Sequence, residues 1–301
     1  MSKPKVVVIC GPTASGKTAL GIEVAKAYNG EIISADSMQI YKDMDIGTAK
    51  PTKEEQAEAV HYLVDFVEPD QRYSVADFKR DAEAKIEDII ARGKLPIIVG
   101  GTGLYVNSLI YNIEFKEDVV DLEYRKELEN RDLSELYEEA CKIDPEAMEK
   151  ISPNDRKRTT RVLEIYNSTG RTKTELELES RKELKYDYQI YGILWDREKL
   201  YERINLRVDL MIQNGLIEEV EELLKKYKEF PTAMQGLGYK EVVEYLKGNL
   251  TKEEMIDKIK QDTRHYAKRQ MTWFRSYKDD ITWLEAGNEE NLKIIGGGLS
   301  E

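Results

Sequence analysis

The chain has 301 residues, of which 41% are hydrophobic, so it is long enough to bury a sizeable core as one large domain or two modest ones. Its net charge of -12 keeps it soluble and by itself gives no indication of nucleic-acid binding. Cys10 and Cys141 are isolated, which argues against a disulfide framework or a cysteine zinc site. The first apolar run, Val6 to Cys10, is too short for a signal peptide or a membrane span. We expect a cytoplasmic, monomeric protein without membrane contact.

Strands and helices alternate along the first hundred residues. The β-branched run Val6 to Ile9 predicts a buried strand, a helix should follow from Lys17 to about Tyr28, and Glu31 to Ser34 predicts a second strand. A helix over Val75 to Ala91 precedes another buried strand at Pro96 to Val99. This alternation predicts the α/β class, with a P-loop type, doubly wound parallel sheet.

The texture of the chain then changes. From about Phe115 to Lys185 it is charged and almost entirely helical, whereas strand-like sequence returns at Tyr188 to Leu194. Helical sequence follows from Arg197 to about Tyr227 and from Lys252 to about Tyr277. We therefore predict a discontinuous catalytic core at 1–114 and 186–289, a helical insertion domain at 115–185, and a flexible tail at 290–301.

A phosphate-binding loop is indicated between the first strand and the first helix. The pattern G-x-x-x-x-G-K-[ST] comprises Gly11, Pro12, Thr13, Ala14, Ser15, Gly16, Lys17 and Thr18. Backbone N–H groups of such a loop and the helix N-terminus attract an anion, Lys17 neutralises phosphate oxygens, and Thr18 can bind Mg²⁺. The alternative is a glycine-rich turn without a ligand.

The carboxylate that P-loop ATPases use to hold Mg²⁺ is missing from its usual place. The strand ending at Val99 runs into Gly100-Gly101-Thr102, so ATP hydrolysis is poorly supported. Asp36 instead follows the second strand and should face the phosphate loop, because the carboxyl ends of neighbouring parallel strands open onto one crevice. We interpret Asp36 as a possible general base; the alternative is an ordinary turn or N-cap aspartate.

Six segments, the phosphate loop among them, share one order and spacing with a known family, at 11–18, 34–41, 44–51, 99–105, 235–239 and 266–274. Through them the chain resembles, nearly from end to end, the tRNA dimethylallyltransferases, also called tRNA isopentenyltransferases. Eukaryotic members of the family carry a C-terminal zinc finger. This sequence shows no such finger, so we expect a bacterial-type member.

The resemblance implies a chemical reaction and roles for particular residues. Dimethylallyl diphosphate would occupy the phosphate loop instead of ATP, and N6 of an adenosine would attack its C1 while diphosphate leaves. Asp36 carries over as the base. Arg207, one helical turn from Arg203, carries over as a diphosphate contact, with Mg²⁺ at Thr18. The alternative is that both arginines are solvated and pair with neighbouring acidic residues.

The implied acceptor is the adenosine at position 37, in the anticodon stem-loop of tRNA, which must leave its stack. An acidic protein must hold tRNA through local basic patches. One is Lys157, Arg158, Thr159, Thr160 and Arg161; another is Arg264, Lys268, Arg269 and Arg275. Such runs are otherwise solvated helix faces. The residues expected along the path of the base are Asp36, Ser37, Met38, Gln39, Thr102, Arg125, Met234, Gln235, Gly236, Leu237, Gly238 and Tyr239.

Rival functions remain open at the level of sequence. They are a P-loop small-molecule kinase, a non-catalytic nucleotide-switched tRNA-binding protein, and an adenylate isopentenyltransferase that acts on free nucleotides. His61 and His265 have no other ligands at metal spacing, so we interpret both as structural.

Overall fold

The structure is a computed structural model that describes residues 2–114, 121–180 and 183–300. Its strands are β1 (Lys5–Cys10), β2 (Gly30–Ser34), β3 (His61–Tyr62), β4 (Leu95–Gly100), β5 (Asp187–Leu194) and β6 (Ile281–Glu285). They form one sheet in the order β3-β2-β4-β1-β5-β6, and every neighbouring pair is parallel. The predicted parallel α/β sheet is confirmed.

The helices follow the predicted order with several additions. They are α1 (Lys17–Ala27), α2 (Lys53–Glu58), α3 (Val75–Ala91), α4 (Gly103–Ile110), α5 (Leu122–Asn130), α6 (Leu133–Ile143), α7 (Pro145–Met148), α8 (Arg156–Thr169), α9 (Lys173–Ser180), α10 (Arg197–Gln213), α11 (Leu216–Lys226), α12 (Tyr239–Leu246), α13 (Lys252–Arg275) and α14 (Asn291–Ser300). Short 3-10 turns lie at Ala233–Gln235 and Lys278–Asp280. None of the helices within the described residues has the length and apolar character needed to cross a membrane.

The chain divides into two compact units. The first comprises Met1–Ile110 and Lys185–Glu301 and contains the sheet, and the second comprises Tyr111–Leu184 and contains α5 to α9. These limits lie close to the predicted ones, although the predicted start of the insertion at 115 falls outside the described residues. The second unit has a core of its own, in which Leu136 and Ala140 of α6 pack with Val162 and Leu163 of α8.

Helices cover both faces of the sheet. Val7 and Ile9 of β1 lie in one buried cluster with Leu20 of α1 and Ile295 of α14. Alternate residues of β1 point to the opposite face and are also fully buried, while α3 contacts β2 and β4. The carboxyl ends of the central strands are thereby held rigidly at one edge of the unit.

The predicted flexible tail at 290–301 is wrong over the described residues. Residues Asn291–Ser300 form α14, whose Ile295 is fully buried. Leu292, Ile295 and Leu299 recur at helical spacing and pack against the α1 face of the sheet, and the Tyr28 hydroxyl donates to the Leu292 carbonyl at 2.9 Å. The three successive glycines obscured this stripe, because glycine disfavours an isolated helix and only tertiary packing offsets that cost.

The helical stretch predicted from Arg197 to Tyr227 is two helices rather than one. Gly215 has φ 98°, in the left-handed region, and separates α10 from α11. The break turns the chain so that α11 packs against α10 and α12.

Candidate active site

The phosphate loop lies between β1 and α1, and its backbone has the curled form that the motif requires. Ala14 and Gly16 have φ values of 62° and 87°, both in the left-handed region. Gly16 begins α1, and no side chain caps that helix end. The first-turn N–H groups of α1 are therefore left for a ligand, at the helix end that carries positive potential.

Three carbonyls of the loop are already hydrogen-bonded. Lys17 Nζ donates to the Pro12 carbonyl at 2.6 Å, Arg203 Nε to the Ala14 carbonyl at 2.9 Å, and Trp195 Nε1 to the Ser15 carbonyl at 2.9 Å. The Arg203 guanidinium also lies over the Trp195 ring, 4.6 Å from its centroid. Because these oxygens are occupied by donors, the loop presents little negative potential to an anion.

A cavity of about 490 Å³ opens beside the loop. Ser15 through Thr18 line it, together with Asp36 and Arg207. The Ser15 hydroxyl is buried and has no hydrogen-bond partner among the described residues. A buried polar atom without a partner costs free energy, and the fold bears that cost beside the loop.

Four cationic side chains line this cavity, Lys17, Lys50, Arg203 and Arg207, and the carboxylates in its lining are Asp36 and Glu55. Burial, and after it the positive charge of Arg207, lower the pKa of Lys17 to about 8, while the negative charge of Asp36 opposes them. Burial also lowers the pKa of Arg207, against the attraction of Asp36. Four cationic side chains against two carboxylates leave a site suited to a multiply charged anion.

Asp36 follows β2 and has two relations to its surroundings. Its Oδ1 accepts hydrogen bonds from the N–H groups of Met38 at 2.9 Å and Gln39 at 3.4 Å, as in a turn aspartate. Its carboxylate also borders the first cavity and a second cavity of about 340 Å³. The turn therefore orients Asp36 and leaves it at the junction of the two cavities.

The second cavity brings together several of the residues predicted to meet the acceptor base. It is lined by Ser37, Met38, Gln235, Gly236, Leu237 and Tyr239, and it shares Thr13, Asp36, Thr48, Arg207 and Tyr266 with the first cavity. Its remaining walls combine the apolar side chains of Ile204, Val208, Met211 and Ile259 with Gly47, Lys240, Thr263 and Arg269. A flat, mainly apolar ring with polar edges would suit it.

Two other predicted residues, Gln39 and Thr102, form hydrogen bonds with segments that line the cavities. Gln39 lines the first cavity, where its amide donates to the carbonyls of Thr48 and Ala49. Thr102 accepts at Oγ1 from the Ser37 N–H at 3.0 Å.

The remaining predicted residues of this segment are held within the protein. Met234 is buried in the core, and the Gly238 N–H donates to the Glu241 carboxylate at 2.8 Å. The Tyr239 hydroxyl donates to Glu219 at 2.6 Å and is buried, so this hydroxyl is not open to a substrate.

The basic residues predicted to contact tRNA in the helical unit differ in their exposure and in their ion pairs. Arg125 forms a two-pronged ion pair with Glu164, at 2.6 and 2.9 Å. Arg161 lies 3.5 Å from the same carboxylate. Lys157 and Arg158 are exposed, the latter 3.5 Å from Asp155.

The two threonines of this basic run do not face solvent as the sequence suggested. Thr159 is fully buried, and the Thr160 hydroxyl donates to the Arg156 carbonyl at 3.0 Å. The Thr159 side chain therefore has no exposed surface to offer tRNA in this structure, because an α-helix turns about 100° per residue and five consecutive residues cannot share one face.

Sequence reasoning assigned no role to Tyr266 and Gln270, which lie four residues apart on α13 and line the first cavity. Burial, and after it the negative charge of Asp36, raise the pKa of Tyr266 to about 12. Gln270 accepts from the Thr13 N–H at 2.8 Å. The sequence predicted that this N–H would be available to an anion, but in the structure Gln270 occupies it. Their spacing within the motif segment 266–274 was the only signal, because residues four apart share a helix face.

The described residues contain no group of three or more histidine, cysteine, aspartate or glutamate side chains that could hold a metal ion. His61 lies in the wall of the first cavity, with Nδ1 2.8 Å from the Ala59 carbonyl. A metal here would need ligands beyond such side chains.

A curled anion loop before a helix, at the carboxyl edge of a parallel sheet and with an aspartate across the crevice, defines a P-loop type α/β transferase site. The family model "IPP transferase" matches residues 39–277, and the model "Isopentenyl transferase" matches residues 4–68. The chain therefore belongs to the IPP transferase family.

Individual relatives agree with this assignment over nearly the whole chain. A tRNA dimethylallyltransferase of Thermoanaerobacter sp. (strain X514) is 54% identical over 97% of this chain and 95% of its own length. The crystal structure of the full-length tRNA isopentenylpyrophosphate transferase from Bacillus halodurans has a TM-score of 0.74 and 42% identity, covering 99% of this chain and 96% of that one. A eukaryotic dimethylallyltransferase acting on tRNA has a TM-score of 0.82 and 33% identity, covering 99% and 77%. These likenesses favour a prenyl transferase over the small-molecule kinase.

Proposed function

We propose that this chain is a cytoplasmic, monomeric tRNA dimethylallyltransferase. It transfers the dimethylallyl group of dimethylallyl diphosphate to N6 of the adenosine at position 37 of tRNA and releases diphosphate. The observation that carries the proposal is the meeting of two cavities at Asp36 and Arg207, one with a phosphate cradle and one with apolar side chains of α10 and α13 in its walls. The family membership supplies the reaction class.

The first cavity binds the donor in this proposal. The first-turn N–H groups of α1 surround the diphosphate together with Lys17 and Arg207. Negative charge grows on the bridging oxygen as its bond to C1 breaks, and fixed donors stabilise that charge more in the transition state than in the ground state. The loop carbonyls are turned to protein donors, which keeps competing acceptors away from the leaving group.

Asp36 acts on the acceptor. In this proposal the adenine occupies the second cavity, whose lining includes Met38 and Leu237, and its N6 is directed toward Asp36 at the junction. As N6 forms its bond to C1, the N6 proton passes to the Asp36 carboxylate and diphosphate departs, so bonds and charges balance. The two N–H donors at Oδ1 hold the carboxylate in place for this step.

Mg²⁺ fits this site through the donor as much as through the protein. The Thr18 hydroxyl lies in the cavity wall, and Mg²⁺ commonly takes few protein ligands and completes its shell with phosphate oxygens and water. When bound there, Mg²⁺ would neutralise charge on the departing diphosphate.

Two exposed basic regions are proposed to hold the anticodon stem-loop. Lys157 and Arg158 provide one on the helical unit, and Lys268, Arg269 and Arg275 provide another along α13. Trp273 is 37% exposed on the same helix and offers a stacking surface for a base. These contacts are local, as a chain with net charge -12 requires.

The test is mass spectrometry of tRNA nucleosides after incubation of undermodified tRNA with the protein, Mg²⁺ and dimethylallyl diphosphate. We expect a gain of C5H8 on one adenosine next to the anticodon. A parallel reaction with labelled ATP serves as the control. Phosphoryl transfer without prenylation would overturn the proposal.

A further inference from the structure

Gln270 connects the two loops that form the floor of the donor site. Its Oε1 accepts from the Thr13 N–H at 2.8 Å, and its Nε2 donates to the Gly101 carbonyl at 2.8 Å. The side chain is only 6% exposed, and it reaches from α13 to both the phosphate loop and the turn after β4. One buried amide thus fixes three elements relative to one another.

The amide can occupy this position in one orientation only. A flipped amide would set its NH2 group against the Thr13 N–H and its oxygen against the Gly101 carbonyl, which leaves two buried groups unsatisfied. A Cβ on Gly101 would lie 2.3 Å from Nε2, so glycine is needed for this close approach. The geometry is specific to this pair of residues.

We propose that Gln270 is a positioning residue for the diphosphate cradle. By holding the Thr13 amide it keeps that N–H out of the anion site and sets the curl of the residues that follow. Those residues are Ala14, whose φ is 62°, and Ser15, whose buried hydroxyl has no hydrogen-bond partner among the described residues. Because Gln270 stands on α13 beside Tyr266, it also ties the donor cradle to the helix that borders the acceptor cavity.

This inference rests on the proposed function only for its kinetic readout. Gln270→Met keeps the length of the side chain and removes both hydrogen bonds. We expect the dissociation constant of inorganic diphosphate with Mg²⁺, measured by calorimetry, to rise about tenfold, as the loss of roughly one hydrogen bond's net free energy predicts. The KM for dimethylallyl diphosphate should rise similarly, while the KM for tRNA changes less than about twofold.

Gly101→Ala provides a second route to the same result. The added methyl group should displace the Gln270 amide without altering residue 270, and the affinity for diphosphate should again fall. Gln261→Met is the matched control, because Gln261 is exposed on the same helix and the chemical change is identical. It should leave the diphosphate affinity unchanged.

Different outcomes would contradict the positioning role of Gln270 and the proposed prenyl transfer. A purely structural role for Gln270 would lower the thermal midpoint and kcat and leave the diphosphate affinity of the folded protein unchanged, and this overturns the inference. If wild-type protein transfers no prenyl group but diphosphate binding still weakens in both variants, the proposed function fails and the role of Gln270 stands.

Discussion

The phosphate loop and the basic run of α8 are both short, chemically distinctive segments, but the structure treats them differently. In the loop, all residues from Thr13 to Thr18 line one cavity. In the run from Lys157 to Arg161, two residues are exposed, one is buried, one bonds its own helix, and one lies beside Glu164. A curled loop can direct consecutive residues at one ligand, whereas a helix distributes them around its axis.

The contrast between the loop and the helix shows when consecutive residues of a motif can be expected to contact the same ligand. A loop motif specifies backbone geometry, so its residues act together and each should matter to the ligand. A basic run on a helix gives at most two neighbouring positions on the solvent side. The following experiments test that contrast, in order of decreasing expected effect.

Asp36→Asn should have the largest effect, because it removes the proposed base and leaves the turn intact. The amide oxygen can still accept from Met38 and Gln39. We expect prenyl transfer to fall by about 10²- to 10⁴-fold, with tRNA affinity little changed. Single-turnover rates and filter binding measure the two quantities, and Asp70→Asn is an exposed control. Unimpaired transfer by Asp36→Asn would remove Asp36 from the chemistry.

The loop should also give the reaction a pH dependence. Lys17 has its pKa lowered to about 8, so its positive charge is present below that pH and is lost as the pH rises through it. The kcat/KM for the donor reports groups of the free enzyme and should therefore decline above pH 8, approaching tenfold per pH unit. Lys17→Arg retains its charge at alkaline pH, so its profile should stay flat there. An identical decline in this variant would assign the titration to another group.

The basic run should give a smaller effect, confined to tRNA. Lys157→Ala and Arg158→Ala should each weaken tRNA binding by severalfold and reduce the slope of log K against log salt by about one. The kcat for bound tRNA should be unaffected. Lys142→Ala removes an exposed lysine from the same unit and serves as a control. A salt slope equal to that of wild type in both variants would contradict the proposed tRNA contact.

Thr159→Val should have the smallest effect on function and a stabilising one on the fold. The Thr159 hydroxyl is buried without a hydrogen-bond partner among the described residues, and valine has the same shape without the polar atom. We expect the free energy of unfolding to rise by about 1 kcal/mol and tRNA affinity to remain the same. Loss of tRNA affinity in this variant would restore the contact that burial argues against.

Much of the fold was predictable because its signals are local. The apolar runs of β1, β2 and β4 and the periodic helix at Val75–Ala91 were recognised at nearly their final bounds. The two-residue β3, the short α12 and the glycine-rich α14 were not predicted, because they are stabilised by contacts with distant residues. Family motifs predicted the content of the second cavity better than periodicity could.

The sequence by itself determined the anion loop, the absence of a carboxylate after β4 and the placing of Asp36 at the carboxyl edge, because each follows from consecutive residues and strand order. Only the tertiary structure decided that Thr13 is taken by Gln270 and that Arg125 is engaged by Glu164. The partners in these pairs lie 257 and 39 residues apart. Hydrogen bonds and ion pairs over such separations depend on which faces pack together, and no local pattern encodes them.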